Sequence, residues 1–147
     1  MIQAGDKMPQ FKAMAHDGRE YSSSDLIGKK TVIYVYPKDS TPGCTAEACN
    51  IRDNYHTFLA QGYQVFGISR DSIQSHIKFA QKYELPFPLL SDPDHTILEQ
   101  LGAWGEKKNY GKVTMGTLRK TYIFDENGIC TRVIEKVDTK NHSTQIL

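Results

Sequence analysis

Residues 31–37, with the sequence TVIYVYP, leave this chain few choices of fold. From Thr31 to Tyr36 every residue is β-branched or aromatic, and no charged residue interrupts the run. A strand with one solvated face alternates polar and apolar residues, whereas an unbroken run is typical of a strand covered on both faces. The stretch therefore predicts a central strand of a parallel or mixed sheet, with other elements packed on both sides.

Strand and helix patterns alternate after this run. Apolar residues recur at helical spacing over 45–61, which predicts an amphipathic helix. The segment 63–69, YQVFGIS, predicts a second buried strand, and 72–85 predicts a second helix with Asp71 or Ser72 as its N-cap. This second helix is expected to turn Ile73, Ile77, Phe79 and Ala80 toward the core.

Short hairpins frame the alternating region. A DG turn inside 11–26 predicts an N-terminal β-hairpin, and the Asn127-Gly128 turn predicts another near the C-terminus. Between them, 87–93 predicts a short strand and 95–105 a short helix closed by glycine. Together these patterns predict an α/β thioredoxin-like fold, with a mixed central β-sheet flanked by helices and an N-terminal β-hairpin.

Bulk properties narrow the function. A length of 147 residues suits a single domain over 1–147. Eighteen basic and 17 acidic residues give a net charge of +1, so neither a nucleic acid nor a membrane is expected as a partner. Three cysteines are a low and odd number, whereas a secreted domain held by disulfides usually has more cysteines and an even number of them. These features predict a cytoplasmic protein, in which close-set cysteines serve catalysis or bind metal.

The segment 36–49, YPKDSTPGCTAEAC, holds two such cysteines. Cys44 falls where the buried strand has ended and a helix is starting, because Pro42 suits the first helical position. A thiol at a helix N-terminus faces unpaired N–H groups and the positive end of the helix dipole, which favour a thiolate. Gly43 leaves room for a small substrate beside the sulfur. The competing interpretation is an inert, buried cysteine.

Cys49 follows Cys44 at a spacing that suits few roles. On a regular helix, five residues rise by roughly 7.5 Å and turn by about 140°, which separates the two Cα atoms by about 8.6 Å. A disulfide needs Cα atoms within about 7 Å, so only a transient bridge that unwinds the helix can form. A metal site is not predicted, since the five histidines are scattered and complete no tetrahedral set. A redox pair is the remaining interpretation.

The chain resembles a known family over nearly its whole length. The string Pro37-x-x-x-Thr41-x-x-Cys44 is similar to the active-site signature of peroxiredoxins. The longer string YPKDSTPGCTAEACNIRD resembles the bacterioferritin comigratory protein group, also called the PrxQ type. Similar counterparts exist for GISRDS, FPLLSD, WGEKKNYGK, MGTLRKTYIFDENG and KVDTKNH. The resemblance implies a thioredoxin-fold thiol peroxidase that reduces hydrogen peroxide and organic hydroperoxides without a metal or organic cofactor.

The resemblance also implies a role for each matching residue. Cys44 would be the peroxidatic cysteine, whose thiolate attacks the O–O bond and becomes a sulfenic acid. Cys49 would be the resolving cysteine, forming an intramolecular disulfide that thioredoxin reduces, so that a monomer suffices for catalysis. Thr41 would bond the thiolate and the peroxide oxygen, Arg119 would stabilise both with its charge, and Pro37 would shield the sulfur from water.

Two rival functions and several residues lie outside this pattern. A thiol–disulfide oxidoreductase of the thioredoxin type is disfavoured, because those proteins use C-x-x-C. A non-catalytic binding module would leave both active-site cysteines inert. Cys130, just past the hairpin turn, is predicted to be a passive strand cysteine, and Lys38 and Lys120 are predicted to be solvated charges. Trp104 and Tyr110 suit core packing as well as a place near the active site.

Overall fold

The computed structural model describes residues 1–147, apart from the side chain of Asn109. Strands and helices follow the predicted alternation, with a 3-10 turn after the second strand. The strands are β1 (Lys12–Met14), β2 (Glu20–Ser22), β3 (Lys30–Val35), β4 (Tyr63–Ser69), β5 (Leu89–Ser91), β6 (Trp104–Asn109), β7 (Lys112–Thr117), β8 (Lys120–Phe124) and β9 (Cys130–Ile134). The helices are α1 (Pro42–Asp53), α2 (Tyr55–Ala60), α3 (Ile73–Tyr83), α4 (Thr96–Leu101) and α5 (His142–Ile146).

The central sheet is mixed, as TVIYVYP predicts. Its strand order is β5-β4-β3-β8-β9. β3 runs parallel to β4 and antiparallel to β8, and the pairing of Val35 with Lys120 brings the ends of β3 and β8 together. Because α1 begins shortly after β3 and Arg119 immediately precedes β8, this register places the two chain segments side by side. The β1–β2 hairpin lies outside this sheet as the predicted N-terminal hairpin.

Both faces of the central sheet are covered. Ile33 and Val35 contribute to one core with the N-terminal segment and α4, whereas Val32 and Tyr34 contribute to the other core with the first three helices. All four residues are at most 1% exposed, so β3 has no solvated face. The unbroken apolar run is thus explained, because alternate side chains of a strand point into two different cores.

One predicted boundary is wrong. The helix expected over 45–61 starts at Pro42, as this proline predicts, but it is interrupted at Asn54. The side chain of Asn54 donates to Asn50 O, and its N–H donates to Ile51 O in a tighter turn. Asparagine competes for backbone hydrogen bonds in this way, which explains a break that apolar spacing does not reveal.

The prediction for the second helix is right at its start and wrong on one face. Ser72 is the N-cap of α3, with its side-chain oxygen accepting a hydrogen bond from Ser75 N. Ile77, however, is 36% exposed, and His76 is fully buried in its place. The helical face is rotated toward His76 because its ring makes the polar contacts described below.

A hairpin between α4 and the central sheet was not predicted. β6 and β7 pair across a two-residue turn formed by Tyr110 and Gly111, both of which have positive φ. Tyr110 is 99% exposed, so core packing does not explain it. Trp104 lies at the base of this hairpin, stacked on the ring of His95 at 4.0 Å between centroids. Among the described elements, no helix has the length and hydropathy that a bilayer crossing requires.

Candidate active site

The N-terminus of α1 holds the first cysteine. Thr41 is the N-cap, Pro42 occupies the first helical position, and Cys44 lies within the first turn. The first hydrogen bond of the helix runs from Thr45 N to Thr41 O. The amide groups of Gly43 and Cys44 therefore precede the helical ladder, at the end where the dipole is positive. This placement agrees with the position predicted for the thiol.

Cys44 is buried and bonded to a cation. Only 1% of its surface is exposed, and the Nη2 atom of Arg119 donates to Sγ at 3.2 Å. Burial opposes the guanidinium charge, but the neighbouring Glu47 and Cys44 raise the pKa of Arg119, so it stays protonated. A permanent cation against a buried sulfur stabilises a thiolate and any negative charge that develops beside it.

Gly43 lies beside this contact. A Cβ atom at position 43 would lie 3.3 Å from Arg119 Nη2, closer than side chains ordinarily pack. The absence of a side chain therefore leaves room for the guanidinium next to the sulfur. The sequence predicts that Gly43 leaves room for a small substrate beside the sulfur. In the structure Gly43 also leaves room for Arg119.

Glu47 lies behind the arginine and was missed in the sequence. Its Oε1 atom accepts a hydrogen bond from Arg119 Nη1 at 2.6 Å, and the residue is fully buried. Its Oε2 atom lies 3.4 Å from Nε2 of His142, which is also fully buried. Burial raises the pKa of Glu47 to about 7, although Arg119 works against this rise. One carboxyl group thus connects the active-site arginine to the C-terminal helix.

The loop before α1 is fixed by Asp39. This residue is 5% exposed and accepts hydrogen bonds from Tyr36 OH at 2.7 Å and from Ser75 Oγ at 2.8 Å. Its other partner is Nδ1 of His76, at 2.7 Å. Nε2 of the same ring contacts Leu90 O at 2.9 Å. The two ring nitrogens of His76 therefore join the carboxyl group of Asp39 to the backbone of β5.

Asp39, Asp71 and His76 form a group with potential metal-ligating atoms within 4.8 Å of one another. Nothing in the sequence indicates that His76 meets Asp39 and Asp71, and only this one of the five histidines belongs to the group. Its atoms are engaged with one another, because Asp71 Oδ2 accepts from Asp39 N at 2.9 Å and from Ser69 Oγ at 2.6 Å. The cluster is explained as the anchor of the loop that carries Thr41 and Cys44.

Cys49 lies on the same unbroken helix as Cys44. Both cysteines are free, and Cys49 is partly exposed whereas Cys44 is buried. Five residues of helix separate the Cα atoms by about 8.6 Å and turn the side chains to different faces. The two thiols are therefore too far apart to bond in this conformation.

Thr41 and Pro37 lie in the loop that leads to Cys44. Thr41 is partly exposed, and its hydroxyl donates to Lys38 O at 2.8 Å rather than to the sulfur. This bond closes the loop, and the part predicted for Thr41 in binding the thiolate and the peroxide remains a prediction. Pro37 is partly exposed just after β3. Its shielding of the sulfur remains a prediction.

Two residues outside the site behave differently from each other. Lys120 was predicted to be solvated, and this is wrong. It is 8% exposed, with Nζ donating to Gly102 O at 3.1 Å and lying 3.6 Å from Glu135. Cys130 is 1% exposed on β9, and burial raises the pKa of its thiol. A neutral, enclosed thiol is poorly reactive, in keeping with the passive role predicted for it.

Comparison with known proteins supplies the family. Residues 4–133 match the model of the AhpC/TSA family. The chain belongs to this family, within its Bcp/PrxQ peroxiredoxins. A curated relative from Coxiella burnetii, described as a putative peroxiredoxin bcp, is 44% identical over 99% of this chain and 97% of its own length. This peroxiredoxin is accordingly a peroxidase and an oxidoreductase.

Solved structures agree with the observed architecture. The bacterioferritin comigratory protein of Xanthomonas campestris is 32% identical to this peroxiredoxin, with a TM-score of 0.88 over 92% of this chain and 87% of that chain. PrxQ from Xylella fastidiosa is 27% identical, with a TM-score of 0.92 over 99% of this chain and 93% of that chain. The predicted thioredoxin-like fold with a mixed central sheet is confirmed.

Proposed function

We propose that this peroxiredoxin reduces hydrogen peroxide and organic hydroperoxides at Cys44, and that Cys49 and then thioredoxin return the enzyme to its reduced state. The observation that carries the proposal is the 3.2 Å hydrogen bond from Arg119 to the buried Cys44 sulfur at the start of α1. The Xanthomonas relative, whose structures concern alkyl peroxide reduction, supports the choice of substrate class.

The first step is nucleophilic attack by sulfur on oxygen. The thiolate of Cys44 attacks the distal oxygen of the peroxide, so that an S–O bond forms while the O–O bond breaks. Negative charge develops on the leaving oxygen, and the guanidinium of Arg119 lies next to the sulfur to stabilise it. Burial of Cys44 keeps bulk water away from the nucleophile and strengthens this charge interaction.

The second step needs a change in α1. The sulfenic acid of Cys44 condenses with the thiol of Cys49 to give a disulfide and water. On a regular helix the Cα atoms of these two residues are about 8.6 Å apart, and a disulfide tolerates a Cα separation of at most about 7 Å. The segment between the cysteines must therefore unwind before the bond forms. Thioredoxin would then attack this exposed disulfide.

Both cysteines belong to one chain, so the proposed cycle needs no second copy. We therefore propose a monomer acting in the cytoplasm, where the reducing environment keeps Cys44, Cys49 and Cys130 as thiols between turnovers. The peroxide and a thioredoxin-type dithiol are the partners, and the proposed chemistry uses sulfur alone.

Stopped-flow peroxide consumption tests the assignment. Replacement of Cys44→Ser is expected to abolish consumption, because the hydroxyl group is not a comparable nucleophile. The Cys49→Ser variant is expected to complete one oxidation, detected by intact mass as one added oxygen, and to overoxidise under excess peroxide. The Cys130→Ser variant is the matched control and should turn over like the parent.

Two outcomes would contradict the proposal. Continued turnover by the Cys44→Ser variant would remove Cys44 from the mechanism. An intramolecular disulfide in the Cys49→Ser variant would assign the resolving role to Cys130 instead.

A further inference from the structure

The second oxygen of the Glu47 carboxyl group is an isolated polar atom in the core. Glu47 Oε1 is bonded to Arg119, but Oε2 has no hydrogen-bond partner among the described residues and is fully enclosed. A buried carboxylate oxygen without a donor is costly, because its charge is unpaired, whereas the neutral carboxyl group costs much less to bury. The geometry therefore favours a proton on Oε2.

His142 is the group that faces this oxygen, and its neighbours define its proton positions. Gln145 Oε1 accepts from Asp138 N at 2.9 Å, while Gln145 Nε2 donates to Lys136 O at 2.9 Å, which fixes the amide orientation. His142 Nδ1 lies 2.7 Å from Gln145 Oε1 and must therefore be a donor. His142 Nε2 is then the unprotonated nitrogen of the ring, with Thr121 Oγ1 at 2.7 Å as its hydrogen-bond partner and Glu47 Oε2 at 3.4 Å. It therefore offers no N–H to Glu47 Oε2.

The remaining groups around Glu47 leave a simple balance of charge. Arg119 faces Glu47 from the loop before β8, His142 faces it from α5, and Cys44 lies on α1 as Glu47 does. Tyr34 on β3 stays neutral because burial raises its pKa. Burial also lowers the pKa of His142. With a neutral His142, a Cys44 thiolate and a charged, partly exposed Arg119, these groups sum to zero charge when Glu47 keeps its proton. An ionised Glu47 would add an uncompensated negative charge.

Oxidation reverses this balance. A Cys44 sulfenic acid is uncharged, so the Arg119 cation would then be left without a buried anion. Ionisation of Glu47, which is already hydrogen-bonded to Arg119 at 2.6 Å, restores neutrality. A buried charge is tolerated when it is paired and costly when it is not. The preferred protonation state of Glu47 therefore changes with the oxidation state of Cys44.

We propose that Glu47, held between Arg119 and His142, stores a proton while Cys44 is a thiolate and releases it when Cys44 is oxidised. The proposal rests on the peroxide reaction proposed above. In that step the sulfur gives two electrons to the peroxide, the sulfenic acid keeps the distal oxygen with its hydrogen, and the leaving alkoxide takes up one proton. Glu47 loses one proton in the same step, so the net proton exchange with solvent is close to zero.

Glu47 acts through Arg119 and does not touch the reacting oxygen. The proton that leaves Glu47 need not be the one that reaches the alkoxide, since both exchange with water. Glu47 is therefore a positioning residue that keeps the charge of the site constant across the reaction. His142 contributes because it turns an unprotonated nitrogen, and no N–H, toward Glu47 Oε2, which leaves a carboxylate there without a donor.

Proton uptake during a single oxidation tests this inference. The Cys49→Ser variant is mixed with one equivalent of hydrogen peroxide, so that oxidation stops at the sulfenic acid. The solution is weakly buffered at about pH 6, below the pKa of about 7 for Glu47. A pH indicator then reports the protons taken up per oxidised Cys44. We expect close to zero in Cys49→Ser and close to one when Glu47→Gln is added, because glutamine has no proton to release.

A third variant tests His142. Replacement of His142→Gln in the Cys49→Ser background can direct an amide N–H at Glu47 Oε2 and so favour the carboxylate before the reaction starts. Uptake should rise from zero toward one in this variant. An unchanged uptake would remove His142 from the proposal, and equal uptake with and without Glu47→Gln would overturn the role of Glu47.

Infrared difference spectroscopy of the same oxidation gives a reading that needs no substitution at Glu47 or His142. Oxidation of Cys49→Ser should remove the band of a protonated carboxyl group, and a difference spectrum without that loss would contradict the inference. Intact mass distinguishes failure of the proposed peroxide reaction from failure of the proposal for Glu47. Cys44 without an added oxygen would contradict the peroxide reaction. Oxidised Cys44 with uptake of one proton in Cys49→Ser would contradict only the proton release from Glu47.

Discussion

At the scale of single residues, Arg119 serves two groups with one side chain. Nη2 donates to the Cys44 sulfur and Nη1 donates to the Glu47 carboxyl group. A guanidinium presents several donors in a rigid plane, whereas the lysine ammonium is a compact point charge on a flexible stem. The site therefore depends on the shape of the cation as well as on its charge.

The Arg119→Lys variant separates shape from charge. Lysine cannot hold both partners at once, so we expect the second-order rate of Cys44 oxidation to fall by about 10²-fold, which is typical for loss of one aligned donor to developing negative charge. Stopped-flow measurement with hydrogen peroxide gives this rate. The matched control is Arg19→Lys on the edge of the N-terminal hairpin, which should leave this rate unchanged. An Arg119→Lys enzyme that is as fast as the parent would show that a positive charge alone is enough for Cys44 oxidation.

Residue-scale predictions from the sequence worked where the signal is local. Ser72 as an N-cap and the Asn127-Gly128 turn are set by neighbours along the chain, and both are observed. The burial of Lys120 and the contact of Glu47 with His142 depend on residues far away in the sequence. Spacing carries no information about such contacts, which explains why only the resemblance to peroxiredoxins pointed to Arg119.

At the scale of elements, α1 has two roles that conflict. As a helix it holds Cys44 against Arg119, yet as a helix it also keeps Cys49 out of reach. The same helix is tied to the C-terminal segment, because Asn50 Nδ2 donates to Lys140 O at 2.9 Å and Ser143 N donates to Asn50 Oδ1 at 2.8 Å. Unwinding between the cysteines therefore disturbs the attachment of α5.

Hydrogen exchange can follow this change. Conversion to the Cys44–Cys49 disulfide should increase amide exchange over 44–50 and over 140–146, because the hydrogen bonds that join the two segments are lost together. The Cys49→Ser variant treated with one equivalent of peroxide is the control and should keep the protection of the reduced protein. Protection of 44–50 that survives disulfide formation would contradict the proposed unwinding.

Elements were predicted best where one pattern decides them. The buried strand β3 is identified by its apolar run, and α4 by its apolar residues and the glycine that ends it. The β6–β7 hairpin was missed because its turn, Tyr110-Gly111, is less distinctive than the Asn-Gly type and most of β7 is exposed. The break at Asn54 was missed because side-chain competition for the backbone does not disturb apolar spacing.

At the scale of the whole molecule, the buried carboxyl group of Glu47 links stability to pH. Burial raises its pKa from 4.5 to about 7, so the native state holds this proton more tightly than the unfolded chain does. Its contribution to stability is fully present below about pH 4.5 and is lost as the pH rises through about 7. His142, whose pKa is lowered by burial, acts in the opposite direction.

Comparison of the reduced parent with Glu47→Gln isolates this contribution, since both proteins retain His142. The free energy of unfolding of the parent relative to the variant should decrease by up to about 3 kcal/mol between about pH 4.5 and pH 7. Urea unfolding at several pH values measures the difference, and we expect one cooperative transition because residues 1–147 are proposed to be a single domain. A difference that stays constant with pH would contradict the buried, protonated carboxyl group.

The distance along the chain between the two halves of the site has a consequence for biosynthesis. Cys44 and Arg119 are 75 residues apart, and they meet only because β8 pairs with β3. A ribosome adds about 5–20 residues per second, so roughly 4 to 15 s pass between the synthesis of the cysteine and that of its arginine. During that interval the nascent thiol lacks the guanidinium that stabilises its thiolate in the folded enzyme. The Cys44 thiol of the growing chain therefore lacks the full reactivity of the finished enzyme until β8 has been made.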